Sequence, residues 1–565
     1  MSTRQRAEEM HGTGSTPGEA HTRPWRAGGS SGGATLIDDL QAHGHVSPIE
    51  TDICVVGSGA AGLAFAREFL GSRAQVLVLE SGGLNLNPEV DALNCGEIIG
   101  MANRSLNEGR HRVLGGTTEV WPGGCMPLVP IDFAERRWVP FSGWPITLAD
   151  LQPYYNRAGA LLRVRAEAFA EDVWTAIGRE GGPDLRPAAL SHCLTLFSPR
   201  PHRFLGKALR DTFTRSGNVR ILLHATATGL YTDPSGRVVE RLECASLSGQ
   251  RVTVRARNYV LCGGGFENAR LLLLSRRVEP RGVGNRHDLV GRFYQDHPTT
   301  RAATIHTDRP AILQNAYGVS FRGFPPQPRP YPRIRLSPSL QERQGVLNCY
   351  ATVAWGIGEK TAEAAVLSLF RAARSFRTPK AIAGEFLEVT RDLPGTARFV
   401  ARYLAGRASL TPPNSMWLMS GAEQAPNPDS RVTLSDKRDA MGLPRVQLDW
   451  RLTELDRRTA SAMACAVRDE FQRLGLARAE LPGWLQDESN GWRTNMSAPF
   501  HPSGTTRMAS DPKRGVVDEN CRVHGVTNLY VAGSSVFPTS GYANPTFTIV
   551  ALAIRLADHI KGTCR

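Results

Sequence analysis

Between Thr51 and Glu80 the chain has little freedom about what it can fold into. TDICVVG at 51–57 is an apolar run closed by glycine. GSGAAG follows, then LAFAREFLGS with its apolar residues at helical spacing, then AQVLVLE, a second apolar run ending in Glu80. Strand, glycine turn, helix and strand make a βαβ unit, which predicts a parallel sheet covered by helices. Gly57 permits the tight turn, Gly59 lets the backbone approach a pyrophosphate, and Gly62 lets helix lie against strand. Ala60 and Ala61 open the helix, whose unpaired N–H groups suit phosphate oxygens. Glu80, with Ser81 beside it, stands eighteen residues past Gly62. There a carboxylate accepts hydrogen bonds from both ribose hydroxyls. Each feature alone is weak; in this order they read as a dinucleotide site.

A second stretch lies near the other end. HPSGTTRM at 501–508 carries a histidine, and NLYVAGSSVFPTSGYANPTFTIVALAIRLADHI begins at Asn528. The latter reads as a strand, a Gly/Pro-rich turn containing Asn544, and a final helix. Together with TDICVVGSGAAG these residues resemble the glucose–methanol–choline family of flavin-dependent alcohol oxidoreductases. The likeness spans most of residues 50–562, strongest at both ends and weakest between 300 and 420.

The resemblance implies FAD and an alcohol oxidised to a carbonyl by hydride transfer to flavin N5. That chemistry needs a base for the hydroxyl proton, a task that suits histidine because its ordinary pKa lies near neutrality. By family position His501 is the general base, and Asn544 orients the hydroxyl and stabilises charge developing on its oxygen. His224, His287, His297 and His524 receive no catalytic role. Gly533 and Ser534, with Ala543, Pro545 and Thr546 at the start of the last helix, are expected to touch the flavin or its pyrophosphate.

RVLGGTTEVWPGGCMPL (112–128) is too rich in glycine for an ordinary strand or helix. Family position sets Gly115, Gly116 and Thr117 beside the flavin ring. Within this loop the chain is similar to the pyranose-oxidase branch, several of whose members carry a flavin-linked histidine just before the tryptophan. Here Val120 precedes Trp121, so FAD is expected to be held non-covalently. VRILLHATATGL (219–230) reads as a strand; family position implies that Ala227 approaches the adenine through its backbone, with Thr228 next to it. RARNYVLCGGGFENARLLLLS (255–275) reads as strand, turn and helix, with Gly263 and Gly264 near the FAD. PFSGWPITLADLQPYYNRA (140–158) reads as a turn and an amphipathic helix with Trp144, Tyr154 and Tyr155 as packing residues.

The expected fold class is α/β. A Rossmann-like FAD-binding domain is assembled from residues 49–298 and 489–565. It surrounds a substrate domain at 299–488, an antiparallel sheet with helices. Residues 1–48, rich in Gly, Ser, Thr and Arg, read as a disordered leader. Two amphipathic helical stretches, AEAAVLSLFRAARSF and TARFVARYLAGRA, lie between Glu359 and Ala408.

Net charge is +14, yet the lysines (Lys207, Lys360, Lys380, Lys437, Lys513 and Lys561) and the far more numerous arginines are scattered. With no basic run, nucleic acid is not expected as a partner. No stretch of about 20 apolar residues occurs, so a membrane span is not expected; the amphipathic 359–408 helices are expected to pack on their own domain rather than contact a membrane. Ten cysteines without CxxC spacing indicate neither a disulfide framework nor a metal ligand set, and suit the cytoplasm. The leading substrate class, from the pyranose-oxidase resemblance, is a sugar, glycoside or aminocyclitol hydroxyl in a biosynthetic setting. Two alternatives stand beside it: a dehydrogenase of a non-sugar alcohol such as a steroid or polyketide, and a membrane-associated electron-transfer flavoprotein using the 359–408 helices. Oxygen and another electron acceptor are equally compatible with these residues, and no oligomeric state is implied.

Overall fold

The computed structural model describes residues 36–43, 46–101, 105–179, 181–318, 321–322, 327–328, 330–356, 363–366, 368–369, 389–405, 413–486 and 490–563. An eight-stranded sheet carries the dinucleotide unit. Its order runs Ile37–Asp39, Val219–Leu223, Val76–Leu79, Ile49–Val56, Arg251–Leu261, Val239–Ala245 and Thr226–Thr232, with Leu529–Val531 also paired to Arg251–Leu261. The pairings from Ile37–Asp39 through Arg251–Leu261 to Leu529–Val531 are parallel, and the last two strands of the path are antiparallel. Ile53, Cys54 and Val55 are fully buried in the central strand, which explains its unbroken apolar run. Cys54 acts there as a small hydrophobe.

The helix Ala60–Arg67 follows the glycine turn. A Cβ at Gly62 would fall 1.9 Å from the Gly57 carbonyl oxygen, so only glycine permits this approach. The long C-terminal helix Thr546–Thr563 packs on Ala60–Arg67 and on Leu148–Leu162. The latter starts at the Thr147/Asp150 capping box, so the turn-then-helix expectation for 140–158 holds. Tyr155 stacks on Phe547 at 5.1 Å and its hydroxyl meets Thr548 at 2.8 Å, while Trp144 is buried against Phe133 and Phe537. Both are packing residues.

A seven-stranded antiparallel sheet forms the second layer. Its order is Arg478–Glu480, Thr299–His306, Ser415–Ala422, Cys349–Gly356, Tyr331–Leu336, Leu190–Phe197 and Gly124–Cys125. It therefore draws two strands from before residue 299. Arg431–Arg438 and Pro444–Asp449 lie outside that layer and join Gly96–Ile98 in a small third sheet.

Two readings need correction. Residues 37–39, taken as leader, form an edge strand parallel to Val219–Leu223, and Leu40 after them is fully buried. Three residues are too few to show a period in sequence; most of 1–48 lies outside the described residues. The single strand read at 219–230 is two strands. They break at His224, held at φ +51° by a bidentate contact of its Nδ1 with the Asp39 carboxylate at 2.8 Å. Of the 359–408 helices, the first lies mostly outside the described residues, and the second forms Leu393–Leu404. Among the described residues no helix is long and apolar enough to cross a membrane.

Candidate active site

A cavity of about 510 Å³ opens where the glycine turns of the parallel sheet meet the antiparallel layer. Gly57, Ser58, Gly59, Ala60, Ala61, Glu80 and Ser81 line it, as do Gly116, Thr117, Ala227, Gly263, Gly264, Gly533, Ser534, Asn544, Pro545, Thr546 and His501. Four expected residues stand behind this lining. Gly62 makes the helix–strand approach, and Gly115, at φ +95°, shapes the loop. Thr228 turns its hydroxyl to the Glu243 carbonyl at 3.1 Å, and Ala543 is buried next to Asn544.

Three helices begin at this cavity: Ala60–Arg67, Gly264–Leu274 and Thr546–Thr563. Their free N–H groups and dipoles favour negative charge. Glycine keeps the approach bare, since a Cβ at Gly59, Gly264 or Gly533 would meet nothing within 4 Å. Glu80 accepts from Ser58 N–H at 3.0 Å, Ser58 Oγ at 2.5 Å and Gly82 N–H at 2.8 Å. Burial pushes its carboxyl up against these hydrogen bonds.

Sequence reading missed a basic cluster on the same wall. Arg110 and Arg112 reach Glu267 at 2.8 and 2.9 Å, and Arg270 reaches it at 3.3 Å while also pairing with Asp439 at 2.5 Å. Burial alone would raise the Glu267 carboxyl, but the three guanidiniums outweigh it and hold it well below the usual range. Three guanidiniums thus stand among Glu267, Asp439 and Glu80, which Arg112 also faces. The arginines flanking His111 were the signal in sequence, masked by arginine's abundance throughout the chain. A bare glycine floor, three helix N-termini and an arginine-bearing wall fit a pyrophosphate-bearing flavin nucleotide.

His501 follows Phe500, whose backbone is held at φ +66°, a left-handed conformation that costs a bulky residue roughly 1–3 kcal/mol. The turn delivers the imidazole to the cavity. Asp296 fixes the backbone behind it, accepting from the backbone N–H groups of His501 at 3.0 Å and His297 at 2.7 Å and from the Tyr294 hydroxyl at 3.3 Å. Burial lifts the Asp296 carboxyl to about 6. The His501 and His297 rings meet edge to face, with Nδ1 to Nδ1 at 2.9 Å, so one nitrogen donates and the other accepts. His297, assigned no role in sequence, is thus the partner of the cavity histidine; its spacing of 204 residues from His501 hides the contact.

Burial first, and the nearby Arg333 second, bring His501 down to about 4. At neutral pH the ring is uncharged and able to take a proton. With Nδ1–H donated to His297, the His501 Nε2 is the free base; the opposite tautomer would block it. Asn544 borders the same cavity, its Oδ1 3.5 Å from where a Cβ of Gly124 would lie.

Residues 426–553 match the family model described as GMC oxidoreductase. The chain is 27% identical to 6'''-hydroxyparomomycin C oxidase of Streptomyces lividus over 90% of its own length and 92% of that protein. It is 26% identical to paromamine 6'-oxidase of Streptomyces fradiae, over 90% and 91%. Among solved structures, formate oxidase superposes with a TM-score of 0.54 at 17% identity, covering 92% of this chain and 99% of that one.

Proposed function

We propose that the chain is a GMC oxidoreductase, an FAD-dependent enzyme acting on alcohols, and that it oxidises a hydroxyl of a sugar, glycoside or aminocyclitol-containing metabolite, with His501 as base. The observation that carries this reading is the neutral, half-buried His501, clamped by His297 and Asp296 and sharing one cavity with Asn544. Both Streptomyces relatives are named for oxidation of aminoglycoside-type compounds, which supports the substrate class.

FAD, when bound, supplies the hydride acceptor. Gly57, Gly59, Glu80 and the helix starting at Ala60 would hold its nucleotide half. Gly116, Thr117, Gly263, Gly533 and Pro545 would hold the rest. The His501 Nε2 takes the hydroxyl proton as the carbinol C–H bond weakens, and the Asn544 side-chain amide donates to the oxygen as charge builds there. The Asp296 carboxylate keeps the His501 backbone in place, which preserves a near-attack geometry. FAD is held without a covalent bond, because Val120 stands before Trp121 on the cavity wall. The cytoplasm is the proposed location, and oxygen or another small acceptor completes the cycle.

The test is anaerobic bleaching of the holoprotein's flavin absorbance by a panel of sugars, glycosides, aminoglycosides and apolar alcohols. Bleaching by a polyol supports the reading, and bleaching by apolar alcohols alone overturns the substrate class. Readmitting air then separates oxidase from dehydrogenase. Acid precipitation checks the FAD linkage: the yellow colour is expected in the supernatant.

A further inference from the structure

The antiparallel sheet presents two arginines to the region beside His501. Strand Tyr331–Leu336 pairs with Leu190–Phe197 so that Tyr331 faces Thr195, Arg333 faces Cys193 and Arg335 faces Ser191. Alternation along both strands therefore puts Tyr331, Arg333 and Arg335 on one face. The Arg333 guanidinium lies 4.3 Å from the centre of the Tyr350 ring and 5.3 Å from that of Tyr331, and donates to the Tyr331 hydroxyl at 2.8 Å. Its Nε has no hydrogen-bond partner, although the residue is only 9% exposed. Arg335 donates from Nε to Ser191 Oγ at 2.9 Å and hydrogen-bonds Tyr542, two residues before Asn544.

Among the described residues neither arginine forms an ion pair. Asp132, the acid whose charge reaches Arg335 and Tyr542, directs its carboxylate to Asn348 Nδ2 and the Val129 N–H instead. Elsewhere in the interior Arg136 is paired with Glu423 at 2.6 Å and Arg270 with Asp439 at 2.5 Å. Burying a guanidinium without an acid is unfavourable, and tyrosine faces offset only part of that. The pair is also close to the reaction centre. Arg333 is one of the charges acting on both His501 and His297. Phe197, stacked on Tyr331, lies beside Gly124 in the cavity wall, where Asn544 also approaches.

We propose that Arg333 and Arg335 form an oxyanion subsite beside His501 and Asn544, so that the alcohol oxidised carries a carboxylate or phosphate group. This rests on the reading of the site as an alcohol-oxidising one and narrows its substrate class. A planar guanidinium matches either group in bidentate fashion. The same two charges disfavour a cationic amino sugar, so within the proposed class an acid-bearing sugar or glycoside is selected over the amine-bearing compounds for which the two Streptomyces relatives are named. Burial is the larger reason that His501 is weakly basic, and an anion bound to Arg333 also offsets the smaller contribution of that charge. Correct recognition thereby strengthens the base.

The experiment has two arms on the FAD-loaded protein. In the first, propionate, inorganic phosphate and uncharged propionamide are titrated against the flavin absorption spectrum. Propionate or phosphate should perturb it saturably at concentrations roughly tenfold or more below propionamide, and Arg333→Gln should remove that preference while Arg333→Lys keeps part of it. Whichever anion binds identifies the group. In the second arm, anaerobic flavin reduction by D-gluconate, D-glucuronate and glucose 6-phosphate is compared with that by glucose and glucosamine. The anionic alcohols should give the higher kcat/KM, and Arg335→Gln should lower it through KM. Equal binding of propionamide and propionate overturns the proposal, as does an anion preference that survives Arg333→Gln. If no alcohol bleaches the flavin while propionate binding still depends on Arg333, the alcohol-oxidising reading fails and the oxyanion site stands. Should Arg333→Gln not hold FAD, Arg333→Lys and Arg335→Gln carry the same comparison.

Discussion

The wall around Ala60 is made by leaving side chains out, and the wall around His501 is made by bringing them in. On the first, Gly57, Gly59 and Gly62 lie within six residues of one another, and the ligand-facing groups are backbone N–H donors of one turn. On the second, Asp296, His297, Arg333, His501 and Asn544 come from four separate segments, and every important group is a side chain. The first wall recognises a shape shared by many nucleotides. The second selects chemistry, and its electrostatics depend on how deeply each group is buried.

If that contrast is right, damage to the first wall removes the cofactor and damage to the second leaves it in place. Gly62→Val is the most severe test. A Cβ there would meet the Gly57 oxygen at 1.9 Å, so the protein should be colourless or insoluble, as absorbance at 450 nm in the purified sample will show. A yellow, stable Gly62→Val protein would break the comparison. His501→Ala should stay fully yellow while anaerobic flavin reduction by substrate slows roughly 10³-fold; equal loss of FAD would mean that the histidine wall also holds the cofactor.

The acidity of the second wall sharpens the contrast. His501 works as a base only when neutral, and burial with Arg333 brings it to about 4. The flavin reduction rate should therefore fall as pH drops through about 4 and be flat near neutrality. Removing the positive charge in Arg333→Gln should move the limb upward, since less charge then opposes the imidazolium. His297→Ala should cost less, roughly tenfold in reduction rate with KM little changed, because it orients the base without touching substrate. The smallest effect is expected for Glu80→Gln. FAD affinity, read by fluorescence titration, should weaken by about 1 kcal/mol, while reduction at saturating FAD stays unchanged.

Legibility in the sequence follows the same division. The βαβ unit, the Gly263 turn and the final helix were readable because strand, turn and helix are set by contiguous residues with a period or a glycine. His501 and Asn544 were readable only through resemblance; nothing in their own neighbourhoods distinguishes a base from a structural histidine. The Asp296–His297 clamp was not readable, since its partner lies 204 residues away. Nor was the edge strand at Ile37, too short for any pattern. The break at His224 depends on a contact with Asp39, which local propensity cannot anticipate.

By itself the sequence determined a strand, glycine turn and helix of the dinucleotide-cradle type on a parallel sheet, because backbone geometry in a glycine turn is a local property. Only the tertiary structure decided what surrounds the reacting atoms: two histidines sharing one hydrogen bond, an aspartate behind them, and two arginines on the opposing sheet that form no ion pair among the described residues. Charge, burial and partner choice are properties of residues brought together from distant segments, so they exist only once the chain has folded.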